Sequence, residues 1–503
     1  MFRIFGPPGT GKTTTLLNML DKALESGTSA NNIAFLAFTR KAASEAKERA
    51  SARFHLDPDK DLFYFRTLHS LALSMSGIRT EQVMSREHYK ELSDIISIPL
   101  VSGTSLDDDI VDKQATDHPI LSLINLARLC KKPLREQYNH TNMIFDWNTV
   151  NYVAKCYKQY KEQHELYDFT DMLQCFIDEA DVACPQFDLV FLDEAQDLSP
   201  LQWDIAHILD KNSKKMYAAG DDDQAIYRWA GADVEQFITL DGSSETLSQS
   251  YRVPRLIHRT AETIVSRITS RYPKKYEPKN EDGKVHHISR LEDIDVSSGQ
   301  WLILAQAGYI LNPVVEMLRS SGYLYTHKGH RSISAKISSA VNGWEQMRKG
   351  KSITLETVKD IYSFMSTGNR VKRGFKTMSG ADDSNLFNMT QLQDEWGLAI
   401  GEELIWREAL DRLPEESRVY ITAMLRRGEK FNAEPRITIS TIHGSKGGES
   451  ENVVVFTDLS PSADDAMSEG NDDLHRVFYV AVTRAKENLF IVESEDSNRS
   501  YAI

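Results

Sequence analysis

Short apolar segments recur along the chain, and Gly, Asp, Ser or Thr residues follow most of them. Continuous runs of Val, Ile, Leu and Phe predict strands that are covered on both faces, as in parallel α/β sheets. The predicted strands are Phe2–Phe5, IAFLAF (33–38), DLVFL (188–192), KMYAAG (215–220), WLILA (301–305), ITIST (437–441), VVVFT (453–457) and LFIV (489–492). They fall into two groups, which predicts two α/β domains.

Helical patterns lie between these strands. Leu16, Leu17, Leu20 and Leu24 share one stripe shortly after the first strand. Two longer stretches have helical periodicity and few strand signals, which predicts a helical insertion in each domain. The expected domains are residues 1–70 plus 151–245 with insertion 71–150, and residues 246–332 plus 435–503 with insertion 333–434.

Composition narrows the class of protein. A chain of 503 residues with 41% hydrophobic content can bury more than one core. Its net charge of −14 argues against a wholly basic nucleic-acid-coating protein, although a local basic groove remains possible. The four cysteines lack the close spacing of a zinc site and are too few for a disulfide framework. Without a signal peptide or a long apolar run, we expect a cytoplasmic protein with no membrane partner.

The stretch GPPGTGKTTT, which begins at residue 6, carries the first chemical signal. Gly6, Gly11, Lys12 and Thr13 fit the pattern G-x₄-G-K-[ST], in which backbone N–H groups and a helix N-terminus surround a phosphate. Lys12 is expected to neutralise phosphate oxygens and Thr13 to ligate Mg²⁺. The structural alternative is a glycine-rich turn before a helix. The residues expected to bind the nucleotide are Gly6, Pro7, Pro8, Gly9, Thr10, Gly11, Lys12, Thr13 and Thr14.

The segment FLDEAQD (191–197) ends an apolar run with two acidic residues. Asp193 is suited to hold Mg²⁺, and Glu194 can orient or deprotonate an attacking water. A small-molecule kinase has no need of a water-activating glutamate, so the pair favours hydrolysis of ATP. Two acidic residues that merely end a strand are the structural alternative.

Further segments match, in order, the UvrD/Rep/PcrA-like helicases of superfamily 1, type A. They are AFTRKAASEAKERA (37–50), FRTLHSLA (65–72), YDFTDML (167–173), GDDDQAIYRWAGAD (220–233), LSQSYR (247–252), TIHGSKGGE (441–449) and FYVAVTRAKENL (478–489). The chain resembles this family from residue 6 to about residue 492. The resemblance implies two RecA-like domains that bind ATP in the cleft between them.

The resemblance also implies roles around the nucleotide. Gln224 is expected to sense the γ-phosphate or its water, and Arg252 and Arg484 to reach the γ-phosphate from the second domain. Tyr251 is expected to face the base and Glu449 to contact the ribose. A surface salt bridge is the structural alternative for each arginine.

Aromatic residues of the family stack on single-stranded bases, which suits movement over any sequence. By resemblance, Tyr227, Trp229 and Phe38 belong to this set, and Phe169 is a weaker candidate. Burial in the core is the structural alternative for these rings.

A second group of residues occupies positions that contact the DNA backbone or couple the two sites in the family. These residues are Thr39, Thr67, His69, Thr441 and His443. The two histidines can instead be structural.

The chain departs from the family pattern at several points. The segment that reads adenine upstream of the loop is missing, and Thr14 stands where many relatives have arginine, so relaxed nucleotide choice is expected. Arg228 and Ala230 replace the usual Gly and Arg around Trp229, and Gly448 replaces a leucine. The short ends suggest a compact, viral member of the family.

The second insertion is shorter than in the bacterial enzymes and lacks their glycine-rich hairpin. It contains RVKRGFK (370–376), four basic residues around Phe375. A solvated charge run is one interpretation, and a contact with duplex or junction DNA is the other.

The expected function is that of an ATP-dependent 3′-to-5′ DNA helicase, monomeric, with ATP and Mg²⁺ as cofactors. Its expected partners are single-stranded DNA and junctions of single and double strands. A translocase that strips proteins from single strands is the main alternative. A nucleic-acid-binding protein with a defunct ATPase and a nucleotide kinase are weaker ones, because they do not explain the complete set of motif residues.

Overall fold

The computed structural model describes residues 1–37, 40–100 and 118–503. They form two compact units, one of Met1–Lys284 with Asp465–Lys486 and Ile503, the other of Val285–Asp464 with Glu487–Ala502. Each unit contains a mostly parallel sheet and helices. This architecture confirms the predicted α/β class with two RecA-like sheets.

The first unit contains a six-stranded sheet in which every neighbouring pair is parallel. Its order is β3-β2-β4-β5-β1-β6. The strands are β1 (Phe2–Phe5), β2 (Ile33–Ala37), β3 (Phe65–Thr67), β4 (Phe187–Leu192), β5 (Ser213–Gly220) and β6 (Ser244–Thr246). Because the strands are parallel, the loops after β1, β4 and β5 emerge at one edge, where open α/β sheets bind ligands.

The helices of the first unit surround this sheet and build its insertion. They are Lys12–Glu25, Arg40–Phe54, Leu68–Met75, Arg86–Ile96, Pro119–Leu129, Leu134–Asn139, Trp147–His164, Phe169–Asp178, Ala180–Ala183, Pro200–Lys211, Val234–Thr239, Arg255–Val265 and Asp473–Val482. Short 3₁₀ turns occupy Ala30–Asn32, Thr80–Gln82, Ala195–Asp197, Asp222–Gln224 and Arg228–Ala230.

The second unit contains a seven-stranded sheet of order β10-β9-β13-β8-β14-β15-β7 and a separate antiparallel pair, β11-β12. The run β9-β13-β8-β14 is parallel, and β10 is antiparallel to β9. The strands are β7 (Lys284–Ile288), β8 (Trp301–Ala305), β9 (Tyr325–His327), β10 (His330–Arg331), β11 (Ile353–Thr354), β12 (Leu386–Phe387), β13 (Ile437–Thr441), β14 (Ser450–Phe456) and β15 (Ala485–Val492).

The helices of the second unit are Asn312–Ser320, Ala335–Arg348, Leu355–Ser363, Met389–Asp394, Trp406–Ala409 and Glu415–Arg427, and Pro461–Ser468 spans the division between the units. All of them from Ala335–Arg348 to Glu415–Arg427 lie within residues 333–434, the range predicted as an insertion. Leu291–Asp293, Gly308–Leu311, His443–Ser445 and Ser497–Arg499 are 3₁₀ turns. Among the residues that the model describes, no helix combines the length and the apolar character needed to cross a bilayer.

The predicted strands are confirmed, with ends that differ by a few residues. The continuous apolar runs of β2 and β8 are buried at every position, as expected for strands covered on both faces. Helix Lys12–Glu25 buries Leu16, Leu17 and Leu20 of the predicted stripe. Hydrophobic patterning therefore located eight of the thirteen strands described in the two sheets, but it missed β3, β6, β7, β9 and β10, which are short or partly exposed.

The two segments predicted as insertions are packed in different ways. Near the first, helices Arg86–Ile96, Pro119–Leu129 and Trp147–His164 enclose a core of their own, which includes Leu92, Ile124 and Val153. The core of the second insertion is continuous with its sheet, since Trp344 and Ile303 belong to one buried cluster.

Helix Glu415–Arg427 contributes to this continuous core, which joins the helices of residues 333–434 to the sheet. The Tyr420 hydroxyl donates to the Tyr323 carbonyl oxygen at 2.6 Å. Gly322, at φ 73°, lies so close to this helix that an added Cβ would be 2.4 Å from the Ala423 carbonyl carbon. The helix is therefore fixed to the segment that leads into β9.

The compact units do not follow the predicted domain boundaries. Residues 246–284 and 465–486, assigned from sequence to the second domain, lie in the first unit. For example, the Arg476 side chain in the segment 465–486 donates hydrogen bonds to the backbone carbonyl oxygens of Asp222 and Ser270. The division into two domains with inserted subdomains stays a prediction.

A buried ion cluster joins three helices of the first unit. Asp168, the N-cap of helix Phe169–Asp178, accepts from Lys161 at 2.5 Å and from Arg128 at 2.7 Å. Asp171 pairs with the same two cations. Burial alone would raise the pKa of Asp168, but Arg128 and Lys161 outweigh it and hold that pKa well below its usual range.

We predict that Asp168→Asn lowers the melting temperature of the protein at pH 7 by about 2–4 °C, because the change costs about 2 kcal/mol and a unit of this size shifts by about 1–2 °C per kcal/mol. The cost stays below that of a fully unpaired buried charge because Asp171 remains beside both cations. Asp146→Asn is the matched control, since Asp146 caps helix Trp147–His164 at an exposed position. Scanning calorimetry of both variants measures the difference.

The same cluster gives a pH dependence. The depressed pKa of folded Asp168 stabilises the protein above the unfolded pKa of about 3.9, and this stabilisation is lost as the pH falls toward the folded pKa. The gap in melting temperature between wild type and Asp168→Asn should therefore narrow below about pH 4. A gap that stays constant down to pH 3 would contradict this assignment.

Candidate active site

The loop between β1 and helix Lys12–Glu25 has the form of an anion-binding turn. Gly9 and Gly11 have φ values of 71° and 78°, which glycine adopts without strain. Gly11 is the N-cap of the helix, whose first N–H groups have no partner within the helix. A Cβ at Gly6 would lie 1.8 Å from the Lys12 Cγ, so the lysine side chain folds back over the loop.

The other loop residues support this turn. Pro7 and Pro8 are buried, and the Thr10 hydroxyl donates to the Pro7 carbonyl oxygen at 2.8 Å. Thr14 is exposed in the first turn of the helix. The buried prolines and the Thr10 hydrogen bond thus fix the shape of the loop. Its backbone N–H groups and the Lys12 ammonium can bind a phosphate.

The loop after β4 places two carboxylates beside this turn. Lys12 Nζ lies 3.1 Å from Glu194 Oε1, and the Thr13 hydroxyl donates to Asp193 Oδ2 at 2.6 Å. Glu194 has a left-handed backbone conformation, φ 56°, which costs a non-glycine residue free energy and occurs often at functional sites. The structure thus brings together the two predicted motifs, although they are 180 residues apart.

Burial and charge shift the pKa values of this group. Burial lowers the pKa of Lys12, but Glu194, Asp193 and Asp221 more than offset it, so the net pKa lies above its usual value. Burial, followed by the charge of Glu194, raises the pKa of Asp193 to about 6, although Lys12 and Thr13 counteract it. The carboxyl of Asp193 therefore lacks a full positive counter-charge.

The donor set fits a magnesium ion. The Thr13 hydroxyl and the Asp193 carboxylate offer the hard oxygen ligands that Mg²⁺ prefers, and a cation there would keep Asp193 ionised. Among the described residues there is no group of three or more His, Cys, Asp or Glu placed to hold a metal ion. A site of one hydroxyl and one carboxylate, completed by substrate phosphates and water, needs no such group.

The loop after β5 holds Gln224 and Arg484 together. Gln224 Nε2 donates to Asp221 Oδ2 at 2.5 Å, and its Oε1 accepts from Arg484 Nη2 at 2.7 Å. Arg484 also donates to the Val480 carbonyl oxygen through Nε, and both side chains are buried. These two predicted residues therefore form one hydrogen-bonded pair.

The segment 250–252 lies against the glycine-rich loop. The Ser250 hydroxyl donates to the Pro8 carbonyl oxygen at 2.7 Å, and the Tyr251 N–H donates to the Gly9 carbonyl oxygen at 2.8 Å. A Cβ at Gly9 would be 2.4 Å from the Arg252 Cβ, so the backbones approach closely. The Tyr251 side chain is 77% exposed and can face a base.

Gln196 was not among the predicted site residues, yet it connects two of the loops. Its Nε2 donates to Glu194 Oε2 at 2.6 Å, and its Oε1 accepts from the Asp221 N–H at 2.9 Å. The side chain is fully buried. A polar residue within the acidic segment FLDEAQD was a signal that could have identified it.

The predicted DNA-contacting residues of the first unit differ in exposure. Trp229 is 46% exposed, whereas Tyr227 is only 8% exposed, so Trp229 presents more of its ring to solvent. Thr67 caps helix Leu68–Met75 by accepting from the Ser70 N–H, and His69 is buried. Phe169 is half-buried at the start of its helix.

Two further predicted residues, Phe38 and Thr39, lie outside the described residues. The others lie in the second unit, at or beyond the carboxyl end of β13. There the Thr441 hydroxyl accepts from the Gly444 N–H at 3.2 Å, His443 begins a 3₁₀ turn, and Glu449 is exposed.

Two family models match the chain. The UvrD/REP helicase N-terminal domain matches residues 2–244, and the UvrD-like helicase C-terminal domain matches residues 315–496. Together they account for most of the sequence.

Individual relatives are more distant. An ATP-dependent DNA helicase PcrA of Staphylococcus aureus (strain Mu50 / ATCC 700699) is 24% identical over 307 residues, which are 58% of this chain and 42% of the relative. The protein of that name from Leuconostoc citreum is 23% identical over 432 residues, 82% of this chain and 55% of the relative. That from Bacillus subtilis (strain 168) is 25% identical over 291 residues, 55% of this chain and 39% of the relative.

The chain thus spans about half the length of these curated relatives. The two family matches cover the glycine-rich loop, the acidic pair after β4 and the Gln224–Arg484 pair. On this basis the chain belongs to the UvrD/Rep helicase family.

Proposed function

We propose that this chain is an ATP-dependent DNA helicase that moves 3′-to-5′ on single-stranded DNA and separates duplex at junctions. The observation that carries the proposal is the pairing of Lys12 with Glu194 and of Thr13 with Asp193 at one sheet edge. The PcrA relatives bear the name ATP-dependent DNA helicase, which supports the choice of substrate.

The pairing of Lys12 suggests how hydrolysis begins. When an ATP phosphate enters the loop, the Lys12 ammonium can exchange its partner from Glu194 to a phosphate oxygen. The released Glu194 carboxylate can then accept a proton from the attacking water. Gln196 keeps its hydrogen bond to Glu194 and so maintains the direction of the carboxylate.

The remaining site residues are proposed to stabilise the negative charge that develops on the transferred phosphoryl group. Thr13 and Asp193 would hold Mg²⁺, which neutralises phosphate oxygens when bound. Arg252, next to the loop, and Arg484, paired with Gln224, are proposed to stabilise the transition state.

DNA is proposed to bind through a ring and through backbone contacts. The exposed Trp229 can stack on any base. Tyr227 is almost fully buried. It is proposed to support the Trp229 ring or to become exposed when DNA binds. Thr67, His69, Thr441 and His443 are proposed to contact phosphates or to couple DNA binding to hydrolysis.

The polarity of unwinding tests this proposal. We predict that the protein unwinds a 3′-tailed duplex at least about tenfold faster than a 5′-tailed one, with ATP hydrolysis stimulated by single-stranded DNA. Lys12→Ala, which removes the phosphate-binding ammonium, should abolish both activities. Strand separation is measured with fluorescent duplexes of each polarity.

The same experiment addresses the translocase alternative, which the small size of the predicted second insertion favours. A translocase would hydrolyse ATP on single strands and displace streptavidin from a biotinylated end while leaving duplex intact. If single-stranded DNA does not stimulate hydrolysis, neither function is correct.

We predict that Glu194→Gln lowers kcat for ATP hydrolysis by at least about 100-fold, because general-base catalysis contributes at least that much. The Kd for ATP, measured by equilibrium titration, should stay within about threefold of wild type because the loop and Lys12 are intact. Glu179→Gln, at an exposed glutamate, is the matched control. Unchanged turnover in Glu194→Gln would remove Glu194 from the mechanism.

The basic run 370–376 is proposed to contact DNA phosphates. Val371 is buried and Phe375 packs against Gly397, which anchors the run. Lys372 and Arg373 between these anchors are exposed and form no ion pair with any residue that the model describes. Two unneutralised cations on a fixed turn are suited to a phosphate backbone.

We predict that Lys372→Glu/Arg373→Glu reduces the slope of log K against log [salt] for tailed duplex by about 1–2, because each lost phosphate contact removes about 0.9. Lys349→Glu/Lys351→Glu is the matched control, since it reverses two exposed lysines of the same insertion. Equal slopes in wild type and both variants would show that the run is only a solvated surface.

A further inference from the structure

A buried lysine neutralises three consecutive aspartates in the first unit. Lys274 Nζ lies 3.1 Å from Asp221 Oδ1, 2.6 Å from Asp222 Oδ1 and 2.7 Å from Asp223 Oδ2. Its side chain is only 1% exposed, and the three carboxylates are equally buried. The segment RYPKKY (271–276), which supplies this lysine, carries none of the sequence motifs described above.

Further groups complete the surroundings of the aspartates. Arg271 at the rim donates twice to Asp223, at 2.8 and 2.6 Å. The Tyr272 N–H donates to Asp222 Oδ2, and Arg476 donates to the Asp222 carbonyl oxygen. The loop 221–223 is therefore held by the segment 271–274 on one side and by helix Asp473–Val482 on the other.

This cluster is connected directly to the proposed catalytic pair. Asp221, one of the three aspartates on Lys274, accepts the hydrogen bond from Gln224 Nε2. Gln224 in turn accepts from Arg484. A displacement of Asp221 would consequently move the amide of Gln224 and the guanidinium that it holds.

Three adjacent carboxylates out of water repel one another and lose their hydration. Burial, together with the charges of Asp223 and Asp221, raises the pKa of Asp222 to about 6, although Lys274 counteracts it. Lys274 and Arg271 together outweigh burial at Asp223 and lower its pKa. Without the lysine, the loop would have to take up protons, admit water or move.

We propose that Lys274 is a positioning residue for ATP hydrolysis, which holds Asp221 so that Gln224 and Arg484 stay aligned for the phosphoryl group. This inference rests on the proposed ATPase function. Lys274 neither belongs to the glycine-rich loop nor pairs with Glu194, so its role is in turnover and not in ATP binding.

The test measures ATP hydrolysis in the full chain with single-stranded DNA present. We expect Lys274→Met to lower kcat at least about tenfold, with the Kd for ATP within about threefold of wild type. Lys274→Arg should recover most of the loss because it restores the charge. Lys275→Met is the matched control, since the neighbouring lysine is exposed.

A charge-compensating pair separates positioning from general damage to the fold. Asp222→Asn in the Lys274→Met background removes one repelling carboxylate and leaves a side-chain oxygen for the Tyr272 N–H. We expect this double variant to recover kcat at least about threefold over Lys274→Met alone. No recovery, a kcat within twofold of wild type in Lys274→Met, or a loss seen in Kd alone would overturn the proposal.

The rim of the cluster provides the same test if Lys274→Met does not fold, as judged by circular dichroism. The Arg271 side chain is partly exposed, so its replacement is less disruptive. Arg271→Gln should lower kcat about threefold, and the double variant Arg271→Gln/Asp223→Asn should restore kcat. Unchanged turnover in Arg271→Gln overturns the proposal in that case. Absence of hydrolysis in the wild type would instead reject the proposed ATPase function itself.

Discussion

A carboxylate that is held out of water stays ionised only beside a positive group, and this constraint organises the first unit. Asp193 and Glu194 are adjacent to Lys12, and Asp221, Asp222 and Asp223 surround Lys274. The first lysine lies where a phosphate can compete for it, whereas the second is enclosed. Lys12 is therefore proposed to exchange its partner, whereas the enclosed Lys274 keeps three aspartates in place.

The parallel order of the sheet makes this arrangement possible. Because β4, β5 and β1 are adjacent and parallel, the loops that follow them emerge side by side. Gln196 connects two of these loops through a side chain and a backbone N–H. Two hydrogen bonds of one side chain thus link the Glu194 carboxylate to the backbone of Asp221 in the next loop.

Much of the fold and part of the site could be predicted from the sequence, for definable reasons. The strands have continuous apolar runs, and the glycine-rich loop and FLDEAQD are short segments whose chemistry is complete within a few residues. Lys274 could not be predicted in this way, because its partners lie about 50 residues away and its own segment resembles any basic surface turn. The burial of Tyr227 also depends on tertiary packing, which the spacing of aromatic residues does not reveal.

The grouping of residues 246–284 with the first unit has a similar explanation. Their hydrogen bonds to Pro8 and Gly9 are made by a hydroxyl and a backbone N–H, groups that almost every sequence contains. Residue type alone therefore gives no signal for such contacts.

The continuous buried core that residues 333–434 share with their sheet restricts how this segment can move. Swinging it as an independent arm would open a seam of buried apolar surface, at about 25 cal/mol for each Å² exposed, and would break the Tyr420–Tyr323 hydrogen bond. Residues 333–434 are therefore expected to move with their sheet as one body.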